Sequence, residues 1–254
     1  MTQKNKIALV TGGSRGLGKN IALKLADKGF DVIITYHTKK QEALQVAEDV
    51  IKAGVMAVVI QLSADKVATF PDFFESLKET LKENFNSSHF DYLVNNAGFG
   101  FNAPFAITTE DQFDQLMNIQ FKGVYSFTQY ALPYLNDHGG IVNLSSRLSQ
   151  AYMPGYSAYA AVKGAVETLT RYEAKELAVR GIRVNAIAPG PIATDFAGGV
   201  IRDNPQYNAN VTAMTSLGRV GVPEDIGGVV AFLCSDDARW ITAQRIEVSG
   251  GMNL

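Results

Sequence analysis

The start of the chain constrains the fold most, because an apolar run, a glycine-rich turn and an amphipathic helix follow one another there. Residues 6–11 (K-I-A-L-V-T) are short, β-branched and apolar, which predicts a buried strand. Residues 12–18 (G-G-S-R-G-L-G) form the turn, and residues 19–28 continue with helical periodicity. This order of elements predicts the first strand and helix of an α/β sheet.

Strands and helices alternate along the rest of the chain. Further strands are predicted at 31–35, 55–62, 92–95, 140–145, 183–188 and 245–249. Helices are predicted at 40–53, from 63 to about 84, and at 109–135, 155–177 and 223–234. This alternation is typical of a parallel sheet covered on both faces. An eight-stranded barrel has a similar length, but about seven strands are counted and the glycine turn follows the first. We therefore predict an α/β fold of Rossmann type, a doubly wound three-layer sandwich with a seven-stranded parallel sheet, in one domain of residues 1–254.

The glycine turn is a candidate phosphate site. Gly12, Gly16 and Gly18 lie between an apolar strand and a helix, where backbone N–H groups can approach a pyrophosphate and the helix dipole favours its charge. Glycines in such a turn can also be purely structural. The surrounding pattern favours a dinucleotide site.

The second strand carries the signal for the kind of dinucleotide. A site for a free ribose 2′-hydroxyl would have Asp or Glu about 20 residues past the turn. Tyr36 stands there instead, followed by His37, and Arg15 in the turn could pair with a 2′-phosphate. Lys39 and Lys40 follow, although they can equally be a solvated helix start. These residues favour NADP(H) over NAD(H).

Tyr159 and Lys163 lie four residues apart in the predicted helix 155–177 and therefore share a face. An ammonium about 4 Å from a phenol, at an effective dielectric near 20, favours the phenolate by roughly 4 kcal/mol, or about three pKa units. We expect this to bring Tyr159 into the range for general acid–base catalysis. The motif is weak when it stands alone, since the same spacing occurs on solvated helices.

The composition excludes several classes of protein. A formal net charge of −2 without a basic block argues against a nucleic-acid surface. Cys234, the single cysteine, lies in an apolar run and is expected to be a buried structural thiol; the three histidines are scattered, so no metal site is expected. Without a signal-like or membrane-spanning apolar segment, the chain is expected to be cytoplasmic.

Five motifs occur in one order: T-G-G-S-R-G-L-G, N-N-A-G, I-V-N-L-S-S, Y-S-A-Y-A-A-V-K-G and V-N-A-I-A-P-G-P-I-A-T. Together they resemble the short-chain dehydrogenase/reductase family over essentially the whole chain. The resemblance implies that Tyr159 exchanges a proton with the substrate oxygen. It also implies that Lys163 holds the nicotinamide ribose, and that Ser146, 13 residues before Tyr159, binds the substrate carbonyl.

The resemblance also implies a set of residues along the cofactor. They are Gly12, Ser14, Arg15, Gly16, Leu17, Gly18, Tyr36, His37, Asn96, Ala97, Gly98, Tyr159, Lys163, Pro189, Gly190, Ile192 and Thr194. The adenine is usually met after the third strand, where Ser63 and Ala64 stand, with Asp65 as the alternative if the register slips.

One position departs from the family pattern. The family has a catalytic Asn whose backbone carbonyl holds a water in a proton relay, and Gln120 stands there, with Asn118 two residues early. A backbone carbonyl survives substitution, so Gln120 remains a candidate catalytic residue.

The resemblance implies a carbonyl or secondary alcohol as substrate. Phe99, Phe101, Tyr152, Met153 and Phe196 follow strand ends, which predicts a largely apolar pocket, and residues 196–216 are a candidate lid. Arg147 could anchor an anion or brace a loop.

Two alternative readings of the activity remain open. Many relatives reduce 3-oxoacyl groups on an acidic acyl carrier protein, but Asn136, Asp137 and His138, with Arg180 nearby, make a poor anion dock. A non-catalytic NADP(H)-binding regulator is the alternative of another class. A homotetramer or dimer is expected, with an apolar C-terminal end (Trp240, Ile241, Ile246, Met252) that fits either an interface or the core.

Overall fold

In the computed structural model, which describes residues 4–253, seven parallel strands form one sheet. The ends of the predicted domain, residues 1–3 and 254, lie outside the described range. The strands are β1 (Ile7–Val10), β2 (Asp31–Tyr36), β3 (Ala57–Gln61), β4 (Phe90–Asn95), β5 (Leu135–Leu144), β6 (Arg183–Pro189) and β7 (Arg245–Val248).

The described helices lie between or after these strands. They are α1 (Gly16–Asp27), α2 (Lys40–Lys52), α3 (Phe70–Phe85), α4 (Glu110–Met117), α5 (Gly123–Ala131), α6 (Ser157–Glu176), α7 (Val200–Asp203), α8 (Pro205–Ala213) and α9 (Glu224–Leu233). None of the helices within residues 4–253 is both long and apolar enough to cross a bilayer.

The strand order is β3-β2-β1-β4-β5-β6-β7, and all pairs are parallel. The chain runs outward from β1 in one direction and then, from β4, in the other. The prediction of a doubly wound sheet is therefore confirmed, and the barrel alternative is wrong. Ligands bind such sheets at the carboxyl ends of the strands where the order reverses, which here is between β1 and β4.

The core is divided between the two faces of the sheet. One buried cluster packs α1, α2 and α9 on one face, and Ile34, Val94 and Val230 are among its members. The other packs α3 and α5 on the opposite face around Phe70, Leu77 and Phe127. Strands that are buried on both faces explain why their sequences are continuous apolar runs.

The predicted helix 109–135 is interrupted. A capping box at Thr109 begins α4, and a π-helical turn (Asn118–Lys122) separates it from α5. The strand β5 also begins at Leu135, earlier than predicted, because Leu135 pairs with Phe90 at the start of β4, and a register shift separates this pair from the next one, Tyr92 with Gly140.

The segments expected to be lid and interface are now defined. Residues 196–216 contain a 3₁₀ turn (Phe196–Gly199) followed by α7 and α8. At the apolar C-terminal end, the Trp240 side chain is 96% exposed, whereas Met252 is buried.

Cys234 is buried and burial raises its thiol pKa to about 12, so it has the character of a structural thiol.

Candidate active site

A cleft of about 680 Å³ opens at the carboxyl ends of β1 and β4. The glycine turn forms one wall of the cleft. A Cβ on Gly18 would lie 2.3 Å from the Gly12 carbonyl oxygen, and Gly12 and Gly16 have φ values of 67° and 54°. These positions require glycine, because only a residue without a side chain tolerates both the close backbone approach and the left-handed conformation.

The turn is held by the residues that follow β4. The Asn96 side-chain amide donates to the carbonyl oxygens of Thr11 (2.9 Å) and Gly12 (3.1 Å). The Thr11 hydroxyl accepts from the backbone N–H groups of Asn96 and Ala97, at 3.0 Å each. The N-N-A-G motif therefore fixes the shape of the glycine turn, and Asn96, Ala97 and Gly98 all line the cleft.

The far end of the cleft is lined by Tyr36, His37 and Lys39 beside the end of β2. Arg15 also lines it, and its guanidinium lies 3.4 Å from the carboxylate of Asp195 across the opening. Both side chains are about half exposed, so this ion pair is weak and open to competition from another anion.

The predicted adenine contact at Ser63 lies outside the cleft wall, whereas Ala64 and Asp65 line it. The reason is local: Lys66 N–H donates to the Ser63 carbonyl oxygen at 3.0 Å, which closes a turn with Ala64 and Asp65 at its centre. The structure thus favours the alternative register that includes Asp65. The other predicted cofactor residues line the cleft: Gly12, Ser14, Arg15, Gly16, Leu17, Gly18, Tyr36, His37, Ala64, Asn96, Ala97, Gly98, Tyr159, Lys163, Pro189, Gly190, Ile192 and Thr194.

The three predicted catalytic side chains Ser146, Tyr159 and Lys163 meet in this cleft, and each is more than nine-tenths buried. Tyr159 and Lys163 lie one turn apart on α6, and Ser146 follows β5. The Lys163 ammonium donates to the Leu144 carbonyl oxygen at 2.7 Å and lies 5.7 Å from the centre of the Tyr159 ring. The Ser146 hydroxyl oxygen accepts from the N–H of Leu148 at 3.2 Å, so its own hydrogen remains free to be donated.

The expectation that Lys163 lowers the pKa of Tyr159 is wrong for the chain alone. Burial raises the pKa of Tyr159 to about 12, with the Ser146 hydroxyl counteracting only in part. Burial also lowers the pKa of Lys163 to about 7. The sequence argument counted the attraction between the two groups but not the loss of solvation, which disfavours both charged forms. Tyr159 is therefore a protonated phenol at neutral pH.

A third residue on the same face of α6 escaped the sequence analysis. Glu167 accepts hydrogen bonds from the hydroxyls of Ser145 (2.7 Å) and Ser149 (2.5 Å), which flank Ser146, and pairs with Arg245 at 2.7 Å. Its spacing, four residues after Lys163, was the available signal. Glu167 thus ties the turn that carries Ser146 to the helix that carries Tyr159.

Gln120 lies in the π-helical turn, lines the cleft and is 1% exposed. Its side-chain amide donates to the Phe99 carbonyl oxygen, and its amide oxygen faces Gly98, where a Cβ would come within 2.9 Å. Gln120 therefore braces the loop after β4. The carbonyl oxygen of Asn118 accepts from the N–H of Gly123, which closes the π turn, and Asn118 does not line the cleft.

The remaining part of the cleft is largely apolar. Phe99, Tyr152, Met153 and Phe196 line it, as predicted, whereas Phe101 packs against Phe99 outside it. Tyr156 and Tyr207, which the sequence analysis did not single out, also contribute to the wall, as does Met252 from the apolar C-terminal end. Among residues 4–253, no group of three or more His, Cys, Asp or Glu side chains converges to hold a metal ion.

Two arginines considered as anion anchors are engaged within the chain. Arg147 pairs with Glu247, which also pairs with Arg245 at 3.0 Å, so Arg147 braces the loop after β5. Arg180 pairs with Asp137 at 2.7 Å and donates to the Leu132 carbonyl oxygen at 2.9 Å.

Comparison with known proteins identifies the class to which this fold and site belong. A family model described as enoyl-(acyl carrier protein) reductase matches residues 12–253. The 3-oxoacyl-[acyl-carrier-protein] reductase FabG of Staphylococcus aureus (strain Mu50) is 39% identical over 251 residues, covering 98% of each chain. An uncharacterized oxidoreductase of Methylorubrum extorquens is 36% identical over 249 residues, again covering 98% of each.

Solved structures agree with this assignment. The reductase LugOII, which catalyses keto-reduction during lugdunomycin biosynthesis, superposes with a TM-score of 0.93 at 33% identity and covers 99% of each chain. The angucycline C-6 ketoreductase LanV, solved with bound NADP, gives 0.92 at 36% identity and covers 98% of this chain and 95% of its own. The chain belongs to the short-chain dehydrogenase/reductase family and is an oxidoreductase.

Proposed function

We propose that this chain is an NADP(H)-dependent ketoreductase that transfers hydride between the nicotinamide and a carbonyl or secondary alcohol, with Tyr159 as general acid–base. The observation that carries the proposal is the convergence of Ser146, Tyr159 and Lys163 in the cleft that the glycine turn opens into. An isolated Tyr-x-x-x-Lys pair carries little weight, but the same pair beside a buried serine and a phosphate cradle matches the parts that carbonyl reduction needs.

The residues present fit a dinucleotide. Gly12, Gly16 and Gly18 carry no side chains, so the turn presents its backbone to the cleft that it lines. The first turn of α1 contains no acidic residue, so no carboxylate neutralises the partial positive charge of the helix start. The pyrophosphate would lie there, and Asn96, Thr194 and Lys163 would follow the cofactor toward the nicotinamide end.

When bound, NADPH supplies the hydride. The Ser146 hydroxyl, whose oxygen is already engaged by Leu148 N–H, donates to the substrate oxygen and orients it. The protonated phenol of Tyr159 gives its hydrogen to that oxygen as negative charge develops there. Because Tyr159 carries its proton at neutral pH, it can act as the acid in the reductive direction. Lys163, anchored on the Leu144 carbonyl, offers its other N–H bonds to the nicotinamide ribose.

The preference for NADP(H) over NAD(H) rests on the end of β2. Tyr36 stands where a carboxylate would repel a 2′-phosphate, and Arg15 and Lys39 line the same end of the cleft. The NADP in LanV supports the same choice for this chain. A titration of the purified protein is expected to give at least about tenfold tighter binding of NADPH than of NADH, the gain from one charge-assisted contact. Equal affinities would contradict the assignment.

Tyr159→Phe is expected to lower kcat for ketone reduction by about 10²–10⁴-fold, because it removes the proton donor and keeps the ring. The measurement is NADPH consumption with a panel of ketones, together with the NADPH dissociation constant. Tyr134→Phe is the matched control, because it removes the same hydroxyl from a ring that packs on Phe74 away from the cleft, and it should retain activity. Unchanged turnover in Tyr159→Phe would refute the mechanism. Cofactor binding without any turnover in the unsubstituted protein would favour a non-catalytic regulator.

A second candidate, reduction of 3-oxoacyl groups on acyl carrier protein, is favoured by the similarity to FabG. The engaged Arg180 weighs against it, because an acidic carrier needs free cations on the enzyme surface. The test compares kcat/KM for the same 3-oxoacyl group attached to acyl carrier protein and to a small thiol. We expect the two values of kcat/KM to be equal, whereas a carrier-dependent reductase would have a higher value with the carrier.

A further inference from the structure

The ring of Phe196 lies against the backbone of Gly100 in the substrate part of the cleft. A Cβ on Gly100 would come within 2.4 Å of the Phe196 ring carbon Cζ. The same ring meets Tyr159 nearly edge-on, with the ring centres 5.7 Å apart and the planes at 61°. Phe196 thus lies directly beside the proposed proton donor, in a place that exists because residue 100 has no side chain.

The backbone holds Phe196 in this position. The next three residues, Ala197, Gly198 and Gly199, have φ values of 51°, 76° and 76°. Alanine rarely adopts this left-handed conformation, which is unfavourable for every residue except glycine. The N–H of Phe196 donates to the Thr194 hydroxyl at 3.2 Å. A strained segment persists only where surrounding contacts require it, and this one directly follows the ring that contacts Tyr159 and Gly100.

The rest of this part of the cleft offers aromatic and sulfur surface. Tyr156 meets Tyr159 edge-on at 6.4 Å, and the Tyr207 hydroxyl donates to the Met153 sulfur at 3.0 Å. Because the Tyr207 hydroxyl is engaged by Met153, the Tyr207 ring and the Met153 side chain present an apolar surface to the cleft. Aromatic rings favour flat ligand rings, stacked or edge-on, over saturated groups of the same size.

The charges in this region are already neutralised. Arg147 and Lys163 are the cations in the substrate part of the described cleft: Arg147 is paired with Glu247 and about 15% exposed, and Lys163 donates to the Leu144 carbonyl oxygen. The ion pairs of Arg15 and Arg202 with Asp195 lie at the exposed rim. Deeper in the cleft, a substrate carboxylate or phosphate would lose its hydration and would have to compete with Glu247 for Arg147, which is unfavourable.

Building on the proposed ketoreductase activity, we infer that Phe196, placed by Gly100, determines substrate specificity and selects uncharged ketones that carry an aromatic ring. The ring of such a ketone lies against Phe196 while its carbonyl oxygen reaches Ser146 and Tyr159. A saturated ketone cannot make the aromatic contact with Phe196. An anionic ketone loses the hydration of its charge on entering the cleft and gains no ion pair in return, so both should bind less tightly.

The test measures kcat/KM for three matched ketones: an aryl ketone, its cyclohexyl counterpart, and the aryl ketone bearing a carboxylate. The unsubstituted protein should prefer the aryl ketone to each of the others by about tenfold or more. Phe196→Leu should reduce the preference for aryl over cyclohexyl to within about twofold, mainly through KM for the aryl ketone, and leave the NADPH dissociation constant unchanged.

Gly100→Ala provides an independent arm, because it leaves Phe196 in the sequence and displaces its ring. Gly100 does not have a positive φ, so its backbone accepts alanine. This variant should lose the aryl preference as Phe196→Leu does. Phe105→Leu, at a phenylalanine that is 84% exposed outside the cleft, is the matched control and should keep the preference.

The outcomes separate the two proposals. An aryl preference that survives in both Phe196→Leu and Gly100→Ala, or equal turnover of the carboxylated ketone, would overturn the specificity assignment while the ketoreductase activity stands. If the unsubstituted protein reduces none of the ketones, the proposed function fails and the specificity assignment fails with it.

Discussion

Two regions beside the cleft use the same kinds of charged residue in opposite ways. The buried layer behind Ser146, called the floor here, contains Glu167 and Arg245, which are 6% and 15% exposed and form an ion pair of 2.7 Å. The exposed rim, called the cover, contains Asp195, which pairs with Arg15 and Arg202, and all three of these side chains are about half exposed. Buried pairs cannot exchange their partners for water, whereas exposed pairs can, so the floor is fixed and the cover is adjustable. The proposed reduction needs both, because the proposed proton donor must stay in place while substrates enter and leave.

The largest expected effect is in the floor. Glu167→Ala removes one of the two carboxylates that pair with Arg245, leaving Glu247, and removes the carboxylate that accepts from the hydroxyls of Ser145 and Ser149. Losing these buried contacts should lower the free energy of unfolding by about 3 kcal/mol, as measured by urea denaturation. Glu75→Ala, which removes an exposed pair with Lys78 on α3, is the control and should have no measurable effect. Equal losses in the two variants would remove the distinction between fixed and adjustable regions.

A second carboxyl on α6 sharpens the comparison, because a neutral amide rather than a cation contacts it. Asn143 donates to Glu173 at 2.9 Å, and burial raises the pKa of Glu173 to about 7 from 4.5. Below pH 4.5 the Glu173 carboxyl is protonated in both the folded and the unfolded chain. Between pH 4.5 and 7 this carboxyl ionises only in the unfolded chain, so the free energy of unfolding falls as pH rises, by at most about 3 kcal/mol.

Glu173→Gln removes this penalty and keeps an oxygen for Asn143. The variant should match the unsubstituted protein near pH 4.5 and become more stable than it as pH rises to 7 and above. Urea denaturation at several pH values measures the difference. Glu83→Gln, at an exposed position on α3, should show no such trend. A difference that does not change with pH would contradict the assignment.

The smallest effect is expected in the cover. Asp195→Asn removes the charge that Arg15 and Arg202 share, yet all three side chains remain hydrated, so the urea midpoint should not change measurably. A stability loss comparable to that of Glu167→Ala would show that the cover is held as firmly as the floor.

Much of the fold was predictable because it depends on local patterns. Apolar runs such as 6–11 and 183–188 indicated buried strands, and the seven-stranded doubly wound sheet was confirmed. The break between α4 and α5 was not predictable, because residues 109–135 keep one helical pattern through the π turn. Likewise, β5 begins in a polar stretch that pairs only because β4 lies beside it.

The site shows the same division. The motifs identified Ser146, Tyr159 and Lys163, since each stands at a fixed place in a short pattern. Glu167 was missed because its partners Ser149 and Arg245 are distant in sequence. The placement of Ser63 outside the cleft wall depended on a turn, and the raised pKa of Tyr159 depended on burial.

By itself the sequence determined the order of strands and helices, the family and the candidate catalytic residues, because periodicity, glycine turns and short motifs act between near neighbours in the chain. The tertiary structure alone decided which groups lose water and which distant side chains meet. Those two facts set the pKa of Tyr159, the pairing of Glu167 and the placement of Phe196 on Gly100. Solvation and contact depend on the whole packed chain, which no local pattern encodes.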